Sequence, residues 1–161
     1  MISVQQLTPD DWQLWRSLRR AALAEAAAAF GATLAEWSGP GDTEERWRAR
    51  LSGVPLNLVL TVDGEPAGMV SATAPSADAS VELISLWVAP SARGHGVADA
   101  AISGVAEWAR AEHGAEVVLS VRADNNPAIA LYLRHGFVDV GPSPDDPAER
   151  LMRRRPASAS A

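Results

Sequence analysis

The stretch LISLWVAPSARGHGVADA (Leu83–Ala100) decides the fold. Its first six residues form a strongly apolar run ending at Val88. Pro90, Arg93, Gly94, Gly96 and Ala98 follow, and a helical pattern begins at once. The chain therefore reduces its side chains to hydrogen and methyl where a strand gives way to a helix. Read outward, residues 80–88 are apolar on both faces, as a central strand is. The helix covers about 96–112 and ends at Gly114, and EVVLSV (116–121) is the next strand. This β-α-β unit over 80–121 is the one evident parallel crossover.

Upstream, residues 57–62 and 66–74 flank Asp63-Gly64, a strong hairpin signal. Residues 2–7 suit a short edge strand. Thr8 is placed to cap a helix, with Pro9 at its first position and Asp10 and Asp11 in its first turn. That helix is expected to run through Phe30 and stop by Gly31. A second, short helix opens at Thr43 and carries Trp47 and Leu51. Downstream come a helix over 127–135 ended by Gly136, a strand FVDV (137–140) and a last strand near ERLMR (149–153). Arg153–Arg155 reads as a charged edge strand or its exit. The order β-α-α-β-β-β-α-β-α-β-β describes a mixed α/β domain with a mostly antiparallel sheet. Residues 1–155 are expected to form one domain and 156–161 a disordered tail.

Composition narrows the function. The 161 residues include no cysteine, which excludes disulfides, thiolate metal sites and a cysteine nucleophile. All 14 basic residues are arginine, so lysine Schiff-base chemistry is excluded as well. A net charge of −6 argues against general affinity for nucleic acid. No apolar run approaches the 18 or so residues of a membrane span, and no secretory signal is evident, so a cytoplasmic protein without membrane partners is expected. No spaced cluster of His or carboxylates points to a metal.

The glycine-rich turn can be argued physically. Glycine opens backbone conformations closed to other residues and lets a ligand approach the peptide plane. The first helical turn offers N–H groups without internal partners and the positive end of the dipole. Together they suit a diphosphate, with Arg93 adding charge at the rim. A tight turn needing glycine for steric reasons alone is the competing reading. A Walker loop needs a lysine the chain lacks, and a dinucleotide fingerprint needs a small residue where Asp99 stands.

What does fit is Arg93-x-x-Gly96-x-Ala98 behind Val88-x-Pro90, which resembles the GNAT superfamily of acyl-CoA-dependent N-acyltransferases. A second stretch strengthens the resemblance: Asn125, Ala128, Ile129, Leu131, Tyr132, Gly136 and Phe137 match the pattern that members carry after their next strand. The resemblance implies the GNAT fold, with about seven strands and four helices, and acetyl-CoA as co-substrate. It also implies a coenzyme site at Leu86, Trp87, Val88, Arg93, Gly94, His95, Gly96, Val97, Ala98, Asn125 and Tyr132. The implied reaction is acetyl transfer to a primary amine of a small molecule or a peptide N-terminus, by direct attack in a ternary complex. A non-catalytic acyl-CoA-binding regulatory module is the alternative, and a homodimer is compatible with the habits of relatives.

Tyr132, the only tyrosine, suits the general acid. A phenol with pKa about 10 stays protonated at neutral pH and can donate to a departing thiolate. It lies two helical turns from Asn125, on roughly the same face. Glu82, on the central strand, is the candidate base, with a solvent-facing strand-end glutamate as the plainer reading. The backbone N–H of Val88 is the expected oxyanion donor. His95 is expected to be non-catalytic, and His113 and His135 to serve helix ends. Asn126 is expected to cap the helix after it, leaving Asn125 for the ligand. Phe30, Thr33, Trp37, Glu44, Glu45 and Trp47 are candidates for the acceptor side, tryptophans at helical spacing being more often core.

Overall fold

The structure is a computed structural model that describes residues 1–26 and 33–156. Its seven-stranded sheet runs β1 (Ile2–Gln6), β2 (Leu56–Val62), β3 (Glu65–Ala72), β4 (Ser80–Val88), β5 (Glu116–Arg122), β7 (Glu149–Arg154) and β6 (Val138–Pro142) in spatial order. The helices are α1 (Trp12–Glu25), α2 (Glu44–Gly53), α3 (Val97–Trp108) and α4 (Asn126–Arg134). Every strand pair is antiparallel except β4–β5, as the single crossover requires. The fold is the mixed α/β architecture expected from the sequence.

Local chemistry accounts for the junctions. Asp63 and Gly64 both take positive φ, 51° and 87°, which turns β2 into β3 with the twist a hairpin needs. The Thr43 hydroxyl accepts from the Arg46 N–H to cap α2. The Asp11 carboxylate accepts from the Thr8 N–H at 2.8 Å and closes the entry to α1.

Two apolar layers sandwich the sheet. On one side α3 and α4 cover Leu58, Leu60, Val70, Val81 and Leu119, with Ile102 and Phe137 fully enclosed. On the other, Trp15, Leu18 and Ala22 of α1 and Trp47 and Leu51 of α2 pack on Val59, Met69 and Trp87. Trp15 and Trp47 are wholly buried, so truncating either to Ala would cost about 3–5 kcal/mol.

Four sequence expectations are corrected. First, α1 ends at Glu25, short of Phe30 and Gly31, which lie outside the described residues. The Glu25 side chain at its end is held by Trp87 and Arg93 of the β4–α3 region. Second, the strand carrying Arg153 and Arg154 is not an edge. β7 lies between β5 and β6, and these arginines are neutralised or satisfied there: Arg153 bonds Glu116, and Arg154 Nε donates to the His135 carbonyl at 2.8 Å. Third, α3 gives way to a wider turn over Ala109–His113 before Gly114 stops it at φ 56°. Fourth, Asn125 is the cap of α4: its side chain accepts from Ala128 N–H at 3.3 Å and its carbonyl from Ile129 N–H at 3.0 Å. Asn126 is already helical because Pro127 fits the first turn at either of its opening positions. Of the tail expected at 156–161, residues 157–161 lie outside the described residues.

Candidate active site

The site begins as a fault between two strands. β4 and β5 pair over only three positions, Ser80 with Glu116 to Glu82 with Val118. Beyond them β5 continues along β7, while β4 bends away. The bend is a bulge. Met69 faces Trp87 and Ser71 faces Ile84, so two steps on β3 match three on β4. Ser85 sits within it at φ 59°, a left-handed conformation that a non-glycine residue adopts only under constraint from its surroundings.

The parted strands enclose a cavity of about 830 Å³. β4 lines it with Glu82 to Val88 and β5 with Leu119 to Arg122. From α4 come Ala128, Leu131 and Tyr132, capped by Asn125. From the opposite face of the sheet come Arg19 and Ala26 of the α1 segment and Arg50 of α2. The gap thus takes its walls from both layers of the sheet.

Pairing geometry turns the end of β4 toward this gap. Ala89 N–H donates to the Ala67 carbonyl at 2.8 Å. In an antiparallel ladder the next residue, Val88, then directs its N–H and C=O away from β3, to the side β5 has vacated. The Val88 carbonyl accepts from Arg93 Nε at 3.1 Å.

The turn that follows is shaped as the sequence suggests. Gly94 and Gly96 take φ of 84° and 86°, which only glycine holds without strain. The first ladder bond of α3 runs from Ala100 N–H to the Gly96 carbonyl, 3.1 Å, so the amides of Val97, Ala98 and Asp99 precede the ladder. A second cavity of about 320 Å³ lies against Gly94, Gly96, Val97 and Ala98. It shares Val88, Arg93, Ala98 and Leu131 with the larger one, so the two form a continuous path. Bare amides at one end and a gap between the strands beyond suit a diphosphate carrying an extended arm. Arg93 is turned toward α1: its Nη2 pairs with both Glu25 oxygens at 3.0 Å, and Trp87 Nε1 donates to the same carboxylate at 2.9 Å. The bond from Trp87, then Arg93, holds the Glu25 carboxyl below its ordinary range. His95 is exposed, apart from both cavities.

The titrating groups are graded along the gap. Tyr132 is buried, its ring edge-on to Phe137 at 5.7 Å, and burial pushes its hydroxyl up to about 12. Glu82 is half-buried, and its carboxyl is pushed up by desolvation, then by the charges of Asp145 and Glu149, which also line the cavity. At the helix ends, Asp99 of α3 accepts from Arg134 at 2.7 Å and meets His135 Nε2 at 2.6 Å, while His113 lies edge-on to Trp108.

With this geometry the comparisons agree. A model of the acetyltransferase (GNAT) family matches residues 13–137. The chain belongs to that family. It is thus an enzyme of the acyl-CoA-dependent N-acetyltransferase kind that this family comprises. Solved GNAT structures share its fold. The Salmonella typhimurium protein yncA, solved with its cofactor acetyl-CoA, superposes with a TM-score of 0.75 at 17% identity, covering 100% of this chain and 97% of that one. A GNAT acetyltransferase from Streptococcus pneumoniae gives 0.74 at 20% identity, over 96% and 99% of the two chains. The Thermoplasma acidophilum PaiA N-acetyltransferase in complex with coenzyme A gives 0.72 at 15%, over 96% and 99%. No curated protein sequence matches significantly.

In this GNAT enzyme none of the described residues expected on the acceptor side lines the cavity. Trp47 is core, stacked on Trp37 at 4.3 Å with its Nε1 bonded to Asp42. Glu44 pairs with Arg48, Glu45 is exposed, Thr33 bonds Glu36, and Phe30 lies outside the described residues. The cavity instead receives Arg19 and Arg50, which sequence reasoning missed. The signal was present: Arg19 falls four residues after Trp15 and four before Leu23, inside an apolar stripe, and Arg50 falls between Trp47 and Leu51. Among the described residues no group of three or more His, Cys, Asp or Glu is placed to hold a metal ion.

Proposed function

We propose that this acetyltransferase moves an acetyl group from acetyl-CoA to a primary amine of a small molecule or peptide N-terminus, by direct attack in a ternary complex. One observation carries the reading: Tyr132, Glu82 and the turned-out end of β4 border one gap, which continues to the glycine turn. In this reading the amides of residues 94–98 and the Arg93 side chain hold the diphosphate. Leu86, Trp87 and Val88 flank the pantetheine arm, and Asn125, although it caps α4, borders the same path.

The chemistry balances with the residues present. Glu82 takes a proton from the acceptor ammonium through water, and its raised pKa makes it a stronger base than an ordinary carboxylate. The amine lone pair forms the new C–N bond at the thioester carbonyl. The Val88 N–H meets the charge that develops on oxygen. The adduct nitrogen then loses its second proton to solvent through the same water, and as the C–S bond breaks the Tyr132 hydroxyl gives its proton to the leaving sulfur and is later reprotonated from solvent. Direct transfer follows because the chain has no cysteine to carry the acyl group.

The test is free-thiol release from acetyl-CoA with a broad panel of amines. Release that depends on one class of amine is expected. Tight coenzyme binding without release for any amine would make the protein an acyl-CoA-binding regulator instead.

A further inference from the structure

The gap has an occupant side that the reaction above does not yet use. If an amine meets the thioester at β4, as just proposed, the residues facing it define its chemistry. We propose that the acceptor carries a carboxylate close to its amino nitrogen, as an α-amino acid does, and that Arg50, with Arg19 beside it, holds that carboxylate. The inference rests on the acetyltransfer reading and narrows its substrate class.

Arg50 differs from most arginines here. Arg16, Arg48, Arg93, Arg134, Arg150 and Arg153 each pair with a carboxylate. The partners of Arg50 are neutral: Nη1 donates to Asn57 Oδ1 at 2.9 Å, and Nη2 to Ser71 Oγ at 3.2 Å and Ser85 Oγ at 3.4 Å. The guanidinium also lies over the Trp15 ring at 5.0 Å. Asn57 is itself fixed, accepting from Ser71 Oγ at 2.7 Å and donating to the Val54 carbonyl at 2.8 Å. Arg50 is thus aimed by a rigid amide-hydroxyl network that orients its charge without cancelling it. It retains further N–H donors, in the planar fork that matches a carboxylate. Burial and the charge of Arg19 lower its pKa to about 10, which leaves it protonated at neutral pH.

Burial and the neighbouring Arg19 charge both work against the Arg50 guanidinium, and a carboxylate on Arg50 would offset them. Position sets the length of the acceptor. Arg50 reaches Ser85, the bulge residue next to Leu86–Val88, so an anion on Arg50 lies close to where the acyl carbon is read to be. A compact acceptor, with its carboxylate near its amine, suits that arrangement. The opposite charge is also met: Glu82, Asp145 and Glu149 line the same cavity and attract an ammonium. A polyamine would satisfy the acids but bring cations onto Arg19 and Arg50. A peptide N-terminus would leave Arg50 without its anion.

The experiment compares matched acceptors on the wild-type enzyme: each common L-amino acid, its amide and the corresponding decarboxylated amine, with spermidine and a short peptide beside them. Thiol release is read out, and coenzyme A affinity is measured separately by calorimetry. At least one free amino acid is expected to exceed its own amide and amine by about 100-fold in kcat/KM, the scale of a lost charge-assisted hydrogen-bond pair. Arg50→Met should erase that preference by raising KM for the amino acid, while leaving coenzyme affinity unchanged. Arg50→Lys should restore part of it. The inference fails if coenzyme binds and the amides, simple amines or peptide are preferred, or if no acceptor reacts. Failure of coenzyme A to bind at all would instead overturn the acetyltransfer reading beneath it.

Discussion

A single oxygen atom carries the first test. Tyr132→Phe removes the hydroxyl but keeps the ring that packs edge-on to Phe137. Stability should therefore hold or rise slightly, since the hydroxyl is buried. The pantetheine path keeps its shape, so coenzyme affinity should not change, while kcat should fall by about 100-fold or more, the usual share of a positioned proton donor. Because the hydroxyl is pushed up to about 12, it stays protonated through the mildly alkaline range and adds no fall in rate there. A variant retaining full kcat would show that Tyr132 is a packing residue. Glu82 supplies the opposite limb. A base acts when ionised, so kcat/KM should rise with pH through the Glu82 pKa, and that limb should sit above the ordinary 4.5. Asp145→Asn removes one of the charges raising it and should move the limb to lower pH, and Glu82→Gln should abolish it. Stability runs the other way. A carboxyl whose pKa is raised by folding contributes most below its unfolded value, and that contribution is lost as pH rises through the folded value. Glu82→Gln should thus be at least as stable as wild type at neutral pH in urea titrations, although far less active.

Among the elements, α1 and the β4–α3 turn are joined where the sequence suggested no link. Periodicity and propensity carried α1 through the alanine run, and both are local signals. Glu25, the last residue of α1, bonds to Trp87 and Arg93, which lie 62 and 68 residues on, and no window on the sequence contains both partners. The same limit hid the bulge in β4. Leu83–Val88 reads as continuous strand, yet Ser85 turns left-handed there because the register against β3 changes by one residue. The glycines of the turn and the hairpin at Asp63-Gly64 were legible because their chemistry is confined to a few adjacent residues. The Glu25 link also makes a prediction. If Arg93 serves the coenzyme diphosphate, it must first leave Glu25, so Glu25→Ala should tighten coenzyme binding. Both groups are partly exposed, so the gain should be small, no more than about fivefold. It should fade as salt screens the pair. Weaker binding in the variant, measured by calorimetry, would mean that Glu25 orients Arg93 for the coenzyme.

For the whole molecule, the parallel pairing at the centre of the sheet followed from the succession of elements. A single right-handed crossover in an otherwise antiparallel chain puts β4 beside β5 near the middle. The parting of those two strands was not legible, because it depends on β5 continuing along β7, a strand more than 25 residues later. The floor of the cavity was hidden for a related reason. Arg19 and Arg50 sit in apolar stripes, and a stripe does not say whether an arginine stem ends in packed core or in a hole between strands. That hole is where the molecule's binding energy should appear. A ligand that fills a path from the glycine turn through the sheet bridges α3, α4 and β4 and binds only the folded state. Acetyl-CoA at about 100 times its dissociation constant should then add about 2.7 kcal/mol of stability. For a chain of this size that corresponds to a rise in Tm of about 5–10 °C. NAD and ATP also carry diphosphates but lack an arm to occupy the gap between β4 and β5, so their shifts should be much smaller at the same concentration. Equal shifts for all three would confine binding to the turn and leave the gap without a role in holding the donor.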